Sequence, residues 1–222
     1  MYGAVLDSIL LHTRRSQRLP RGLWPIIEAQ AACATAVWQD PDQGICEARG
    51  APQHYVSSKL MCWVAPDILT NGISDRGVLR QHYATDSLDA STLLAGIFGF
   101  LPGDDARLRA SVLAVADELT EDGYVLRYRT DETDDGLSGK EGTSLICSFW
   151  LVSALAIIGE ENRARDLMER LLRVASPLGL YAEEFDTATA HHLGNFPQAF
   201  SHLALIEAAG RIIVAELLRE LM

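Results

Sequence analysis

Apolar residues return at helical spacing along nearly the whole chain. Val5, Leu6, Ile9 and Leu10 form one stripe, and Ile26, Ile27, Ala31, Ala34, Val37 and Trp38 form a second. A third runs through Leu60, Met61 and Val64, and Pro66 is expected to end it. A helix is predicted over 87–98. Another starts from Asp104 as N-cap, carries Leu108, Val112, Leu113, Val115 and Leu119, and closes near Gly123. The stretch 143–158 is apolar nearly all round, the mark of a central buried helix. Over 164–174 an apolar side of Leu167, Leu171 and Leu172 opposes Arg163, Arg165, Glu169 and Arg173. Pro197 suits the first turn of a helix running to Ala209, and 211–222 predicts one more. The strand signal is confined to a weak one at 123–128.

This pattern predicts an all-α fold of roughly eight or nine helices, arranged as stacked hairpins more than as a four-helix bundle. Four connections, 40–55, 71–86, 127–142 and 176–195, are longer than compact helix links usually are, and loops of that length tend to carry function. They hold Glu47, His54, His82, Arg127, Glu141 and Glu183. If all four open at one end of the helices, they wall a pocket. No linker, low-complexity segment or repeat divides the chain, so a single domain over 1–222 is expected.

Charge narrows the ligands. A net charge of -11 and a pI near 4.9 argue against nucleic acid or an anionic membrane surface as partner, leaving neutral or cationic molecules. No apolar run approaches the roughly 18 residues of a membrane span, and the first residues lack the marks of a secretory leader, so a cytoplasmic protein is expected. Cys33, Cys46, Cys62 and Cys147 include no CxxC pair, which predicts reduced, mostly buried thiols. The His191–His192 pair has no matching carboxylate or cysteine spacing. Neither a metal centre nor a cofactor is expected.

Two of the loops, DPDQGICEARG and SPLGLYAEEFD, each place a glutamate among glycines and prolines. Acid/base chemistry on a neutral substrate needs one carboxyl held protonated and another ionised, so carboxylates delivered on distant loops suggest a sugar-cleaving site. From the residues alone, Glu47 reads better as an ion-pair partner of Arg49 or a solvent-exposed residue, and Glu183 as half of a solvated doublet with Glu184. A cysteine nucleophile at Cys46, served by His54 or His82, is a further reading, with no orienting arrangement legible in the sequence.

A resemblance covers nearly the whole chain. WQDPDQGICEARG, HYVSSKLMCWVA, QHYATDSLDAS, FGFLPGDD, RYRTDETDDGLSGKEGTSLICSFWLVSALA, PLGLYAEEFD and LGNFPQAFSHLALI occur in the order in which similar strings occur in family 15 of the glycoside hydrolases, the glucoamylase and bacterial trehalase group. That resemblance implies an (α/α)6-barrel-like toroid of helical hairpins and inverting hydrolysis of an α-glucosidic bond in an oligosaccharide or disaccharide. It assigns Glu47 as general acid and Glu183 as general base. It places Arg127 where the family grips sugar hydroxyls. Glu141, Gln198 and His202 are added as pocket-lining candidates, Glu141 being also readable as a helix-terminal residue and His202 as a hydrogen-bonded core histidine.

Three departures from the family pattern stand out. Cys46 occupies the usual place of a tryptophan beside the acid, removing an apolar wall of the kind that raises a carboxyl pKa. The string after Trp63 is interrupted by Pro66, with about a helix's worth of chain absent before Gly77. The family's N-terminal β-sandwich and opening hairpins have no counterpart, so the toroid is expected to be incomplete at its N-terminus. An open barrel exposes apolar flanks, which a second copy or a missing N-terminal segment would cover. The alternative to a hydrolase is a noncatalytic remnant that binds carbohydrate or serves as an assembly module.

Overall fold

A computed structural model describes residues 2–133, 136 and 141–221, so the stretches 134–135 and 137–140 of the loop at 127–142 lie outside the described residues. The helices are α1 (Tyr2–Ser16), α2 (Trp24–Val37), α3 (Val56–Met61), α4 (Ala65–Asn71), α5 (Leu94–Ile97), α6 (Ala106–Glu118), α7 (Leu145–Ile157), α8 (Glu161–Arg173) and α9 (Ala199–Glu220). Short strands interleave with them: β1 (Thr120–Glu121) with β2 (Tyr124–Val125), and an antiparallel sheet in the order β3 (Thr143–Ser144), β4 (Glu184–Asp186), β5 (His191–Leu193).

The apolar stretch at 143–158 becomes the axis of the core. Leu145, Phe149, Val152 and Leu155 of α7 are buried, with α8 and α9 packed along it and α5 and α6 on other sides. Each such side chain contributes about 1.5–3 kcal/mol through removal from water. The two serines in this helix are satisfied. Ser148 Oγ donates to Ser144 O (2.8 Å) and accepts from Val125 N (2.9 Å), while Ser153 donates to Glu207 on α9. Helix α7 therefore also anchors β2 and α9.

Local expectations are corrected in several places. The N-cap of α6 is Asp105, whose Oδ1 accepts from Arg107 N at 2.8 Å, not Asp104. Helix α3 already ends at Met61, and Pro66 opens α4, where its missing N–H costs nothing. The stretch 87–98 is a 3-10 turn, Ala90–Leu93, followed by the single turn of α5; Asp89 caps it by accepting from Ser91 N at 2.7 Å. Helix α9 runs unbroken through Gly210, because continuous packing on α7 outweighs the roughly 1 kcal/mol that a helical glycine costs. Leu172 points to solvent, leaving Ala164, Leu167, Met168 and Leu171 as the buried side of α8. Only Cys147 of the four free cysteines is buried; Cys33 is exposed and the others are half-buried. The sheet β3–β4–β5 went unread, because its strands are too short for alternation to register.

One side of the molecule is left open. Helices α1 and α2 bury none of their residues, although both carry clear apolar stripes. Along α9, Phe200, Leu203, Ile206, Ile213, Val214 and Leu217 are left with exposures of 53% to 68%. Among the described residues, no helix is long and apolar enough to cross a membrane.

Candidate active site

The segment preceding β4 is held on all sides by the fold. Tyr181 and Ala182 are buried, with Tyr181 Oη donating to Leu171 O (3.1 Å) and Ser201 Oγ to Ala182 O (2.8 Å). At Glu183 the backbone N–H donates to Asn195 O (3.0 Å), and its carbonyl accepts from Leu145 N (3.1 Å). The Glu183 carboxylate accepts from Asn195 Nδ2 at 2.9 Å. Gly194, at φ 73°, lies against this side chain, and a Cβ there would stand 3.0 Å from the Glu183 Cβ. That glycine is required both by its left-handed backbone and by the close approach.

Alternation along the extended chain turns Glu184 to the opposite face from Glu183. There Glu184 Oε2 accepts from Gly142 N (3.1 Å), and Oε1 lies 3.5 Å from Arg127 Nη2. Burial raises the Glu184 pKa against the opposing pull of Arg127. Arg127 itself makes a two-pronged pair with Glu141, through Nη2 and through Nε at 3.2 Å. Burial works against its charge, yet the Glu141 bond prevails and holds the guanidinium pKa above its ordinary value. Ala90 N donates to Arg127 O (2.9 Å), tying this arginine to the turn capped by Asp89. Asp89 is itself buried, its pKa raised by burial, and it accepts from Gln81 Nε2 at 3.4 Å. Beside this cluster is a cavity of about 150 Å³ lined by Glu121, Leu126, Arg127, Tyr128, Glu141 and Gly142. It is smaller than the about 300–1,000 Å³ usual for small-molecule sites, and neither Glu47 nor Glu183 lines it.

The loop bearing Glu47 is fastened at its ends. Asp42 and Gln53 exchange backbone bonds of 2.8 Å, and Asp42 Oδ1 accepts from Gly44 N (2.7 Å) and Ser58 Oγ (2.9 Å). Lys59, buried on α3, donates to Asp40 O at 2.7 Å and to Trp38 O, so its ammonium closes the end of α2. Gly44 at φ 68° lets the chain pass a Tyr55 ring that a Cβ would meet at 2.9 Å. Glu47 stands at the tip, exposed, with φ 52° and only a 3.3 Å backbone bond to Gly44 O. Its carboxylate bonds to no described residue, Arg49 included.

Cys46 turns inward. Burial raises its thiol pKa, with Asp89 and Cys147 adding to the shift and Arg127 opposing it. A thiol held protonated is a poor nucleophile, and both histidines proposed to serve it are engaged with rings, His54 on Tyr83 and His82 on Tyr55. The cysteine-nucleophile reading is thereby discarded. Gln198 is the N-cap residue of α9, and its backbone N donates to Tyr181 O at 2.8 Å. His202 has both ring nitrogens on backbone atoms, Nδ1 at Gln198 O (2.7 Å) and Nε2 at Tyr181 N (3.3 Å). Of its two readings, the hydrogen-bonded one describes its contacts. Among the described residues, no three His, Cys, Asp or Glu side chains stand together as a metal set.

The fold thus joins Arg127 and Glu141 directly and sets Glu183 one residue from their third partner, while no bond among the described residues ties Glu47 to them. Glu184, Lys59 and Asn195 were not singled out from sequence. Nothing local marks any of the three, since the side to which Glu184 points is set by its pairing with β3.

The chain is 53% identical to a trehalase of Mycolicibacterium smegmatis and 52% identical to one of Mycobacterium tuberculosis, each over 97% of this chain and 36% of the relative. A Thermoplasma acidophilum trehalase is 34% identical over 98% of this chain and 42% of its own. The chain therefore spans a little over a third of the length of the mycobacterial relatives. Its fold is that of solved glycosidases, one of them a point variant with glucose bound, at a TM-score of 0.78 and 19% identity, covering 95% of this chain and 66% of that one. A partial barrel of helical hairpins fits that likeness. The family model described as glycosyl hydrolases family 15 matches residues 68–210, and the chain belongs to that family.

Proposed function

We propose that the chain is the catalytic part of an α-glucoside hydrolase of trehalase type, a single domain working by inversion. The observation that carries the reading is the identity of 53% with a trehalase over 97% of these residues, a span that includes both glutamate loops. In this mechanism Glu47 donates a proton to the glycosidic oxygen, and Glu183 takes one from the water that attacks the opposite face of the sugar. Inversion requires the two carboxyls about 6.5–9.5 Å apart, so that the water fits between. The bond from Asn195 Nδ2 holds the Glu183 carboxylate in one orientation, as a positioned base requires. Arg127, braced by Glu141 and Glu184, offers a fixed fork of donors to sugar hydroxyls, with Gln198 at the rim.

The substrate of this reading is a neutral disaccharide or short oligosaccharide, and the free thiols of all four cysteines favour a cytoplasmic setting. The open face of α9 and the unburied α1 and α2 support a second element of the proposal: the working site is completed by polypeptide beyond these 222 residues, either further chain or a second copy. The noncatalytic alternative shares that open face and differs in turnover. Incubation of the chain joined to the preceding segment of a family relative with trehalose, maltose and soluble starch, followed by glucose release, separates them. Trehalose is expected to be preferred, and starch preferred over trehalose would reject the trehalase reading. Cys46→Trp is expected to raise the rate by restoring the apolar wall, and no gain would assign the defect to the open face instead.

A further inference from the structure

Two histidines from different elements converge on consecutive peptide N–H groups just ahead of the glutamate pair. His192 on β5 has Nε2 2.6 Å from Val174 O and Nδ1 3.1 Å from Ala182 N. His202 on α9 has Nδ1 2.7 Å from Gln198 O and Nε2 3.3 Å from Tyr181 N. A carbonyl can only accept and a peptide N–H can only donate, so each ring must carry one proton on a defined nitrogen. His192 is protonated at Nε2 and bare at Nδ1; His202 is protonated at Nδ1 and bare at Nε2. We propose that His192 and His202 are a pair of positioning residues, neutral and of opposite tautomer, whose bare nitrogens hold the peptide N–H groups of Ala182 and Tyr181 and so set the direction in which Glu183 and Glu184 leave the core.

Aromatic rings fix the orientation. His202 meets the Tyr181 ring edge-on at 5.6 Å, while His192 lies edge-on between Phe185 and Phe196 at 5.9 and 5.7 Å. The charged or titratable groups on the surrounding elements are Tyr181, Glu183, Glu184 and Asp186 along the β4 segment, Arg173 at the end of α8, and Glu207 on α9. Arg173 pairs with Glu169 and Glu207 with Arg211, and among the described residues neither imidazole forms an ion pair. A second proton on either ring would set N–H against N–H, with no anion in an ion pair to offset it. Glu183 and Glu184 would then lose their alignment with Asn195 and Arg127.

The inference rests on the proposed function only for its catalytic consequence, so the test begins with the rings themselves. Imidazole ¹⁵N shifts of the 222-residue chain near pH 7.5 should show two neutral rings of opposite tautomer, His192 as Nε2–H and His202 as Nδ1–H. Either ring charged there, or the same tautomer at both, overturns the proposal. Amide exchange gives the second readout. Protection of Tyr181 N–H should fall about tenfold in His202→Leu, the scale of one lost hydrogen bond, and be retained in His202→Gln, whose Oε1 can take the place of Nε2. Phe149 and Val152 of α7 should keep their protection in every variant and serve as the internal reference. Equal protection of Tyr181 N–H in wild type and His202→Leu counts against the pair. Should the assigned tautomers and exchange be found while glucose release by the chain joined to the preceding segment of a family relative ignores all variants, the positioning pair stands and the role given to Glu183 falls.

Discussion

The two glutamate loops are built on different terms. Around Glu183 every backbone group bonds to chain distant in sequence: Asn195 O, Leu145 N, and the His192 and His202 rings one and two residues earlier. Around Glu47 the backbone bonds inside its own turn, at a left-handed φ of 52° that costs a non-glycine residue about 1–2 kcal/mol. Only the ends of that loop, at Lys59 and Asp42, are fastened to the fold. The proposed base is thus positioned by tertiary structure, and the proposed acid by a strained local turn beside a cysteine. The lesson is that a site can be half preorganised, and its weaker half is the one that additional polypeptide or substrate must order.

The largest test of that contrast is chemical. Glu47→Gln and Glu183→Gln should each lower turnover of a completed enzyme by about 10²–10⁴-fold, the range of general acid–base assistance. They should differ in stability. Glu47→Gln leaves chemical denaturation unchanged because its carboxylate has no described partner, whereas Glu183→Gln weakens the Asn195 contact and lowers the midpoint. Equal stability effects would erase the distinction between the loops.

Backbone substitutions sharpen the contrast at the next scale. Gly194→Ala should cost about 1–2 kcal/mol in denaturant unfolding, since φ 73° and the 3.0 Å approach to Glu183 both oppose a Cβ. Glu47→Gly should instead stabilise by up to about 1 kcal/mol, by releasing its left-handed strain. A destabilised Glu47→Gly variant would show that the acid's turn is held by more than local geometry.

The smallest expected effect is a pH slope. The Glu184 pKa is raised on folding, so the folded chain binds its proton more tightly than the unfolded chain. That contribution is complete below the ordinary value of 4.5 and is lost as pH rises through the folded pKa. Stability measured from pH 4.5 upward should therefore decline with a component absent in Glu184→Gln. An identical slope in the two proteins would mean that Arg127 cancels the burial of Glu184.

Much of this arrangement was readable in the residues. The period of apolar positions located α2, α6, α7 and α8, and the glycine-rich strings located both glutamate loops, because long-range packing follows periodicity and loops follow their turn residues. What escaped were features that only tertiary contact creates. The sheet β3–β4–β5 holds two or three residues per strand, too few to carry a pattern. Lys59 reads as an ordinary surface cation until its helix turns it under the end of α2. The side to which Glu184 points depends on a pairing with β3 that no short window contains.

The most direct measurement of the central claim is glucose release from trehalose by the 222-residue chain alone and by the chain joined to the preceding segment of a family relative, each with a Glu183→Gln control. Holding both carboxylates and the sugar in register is worth orders of magnitude, and a small misplacement costs about 10²-fold. The account predicts little release from the chain alone, a gain of at least about that factor when the open face is covered, and loss of the gain in Glu183→Gln. Release that is equally fast with and without the added segment, or unaffected by Glu183→Gln, would contradict it.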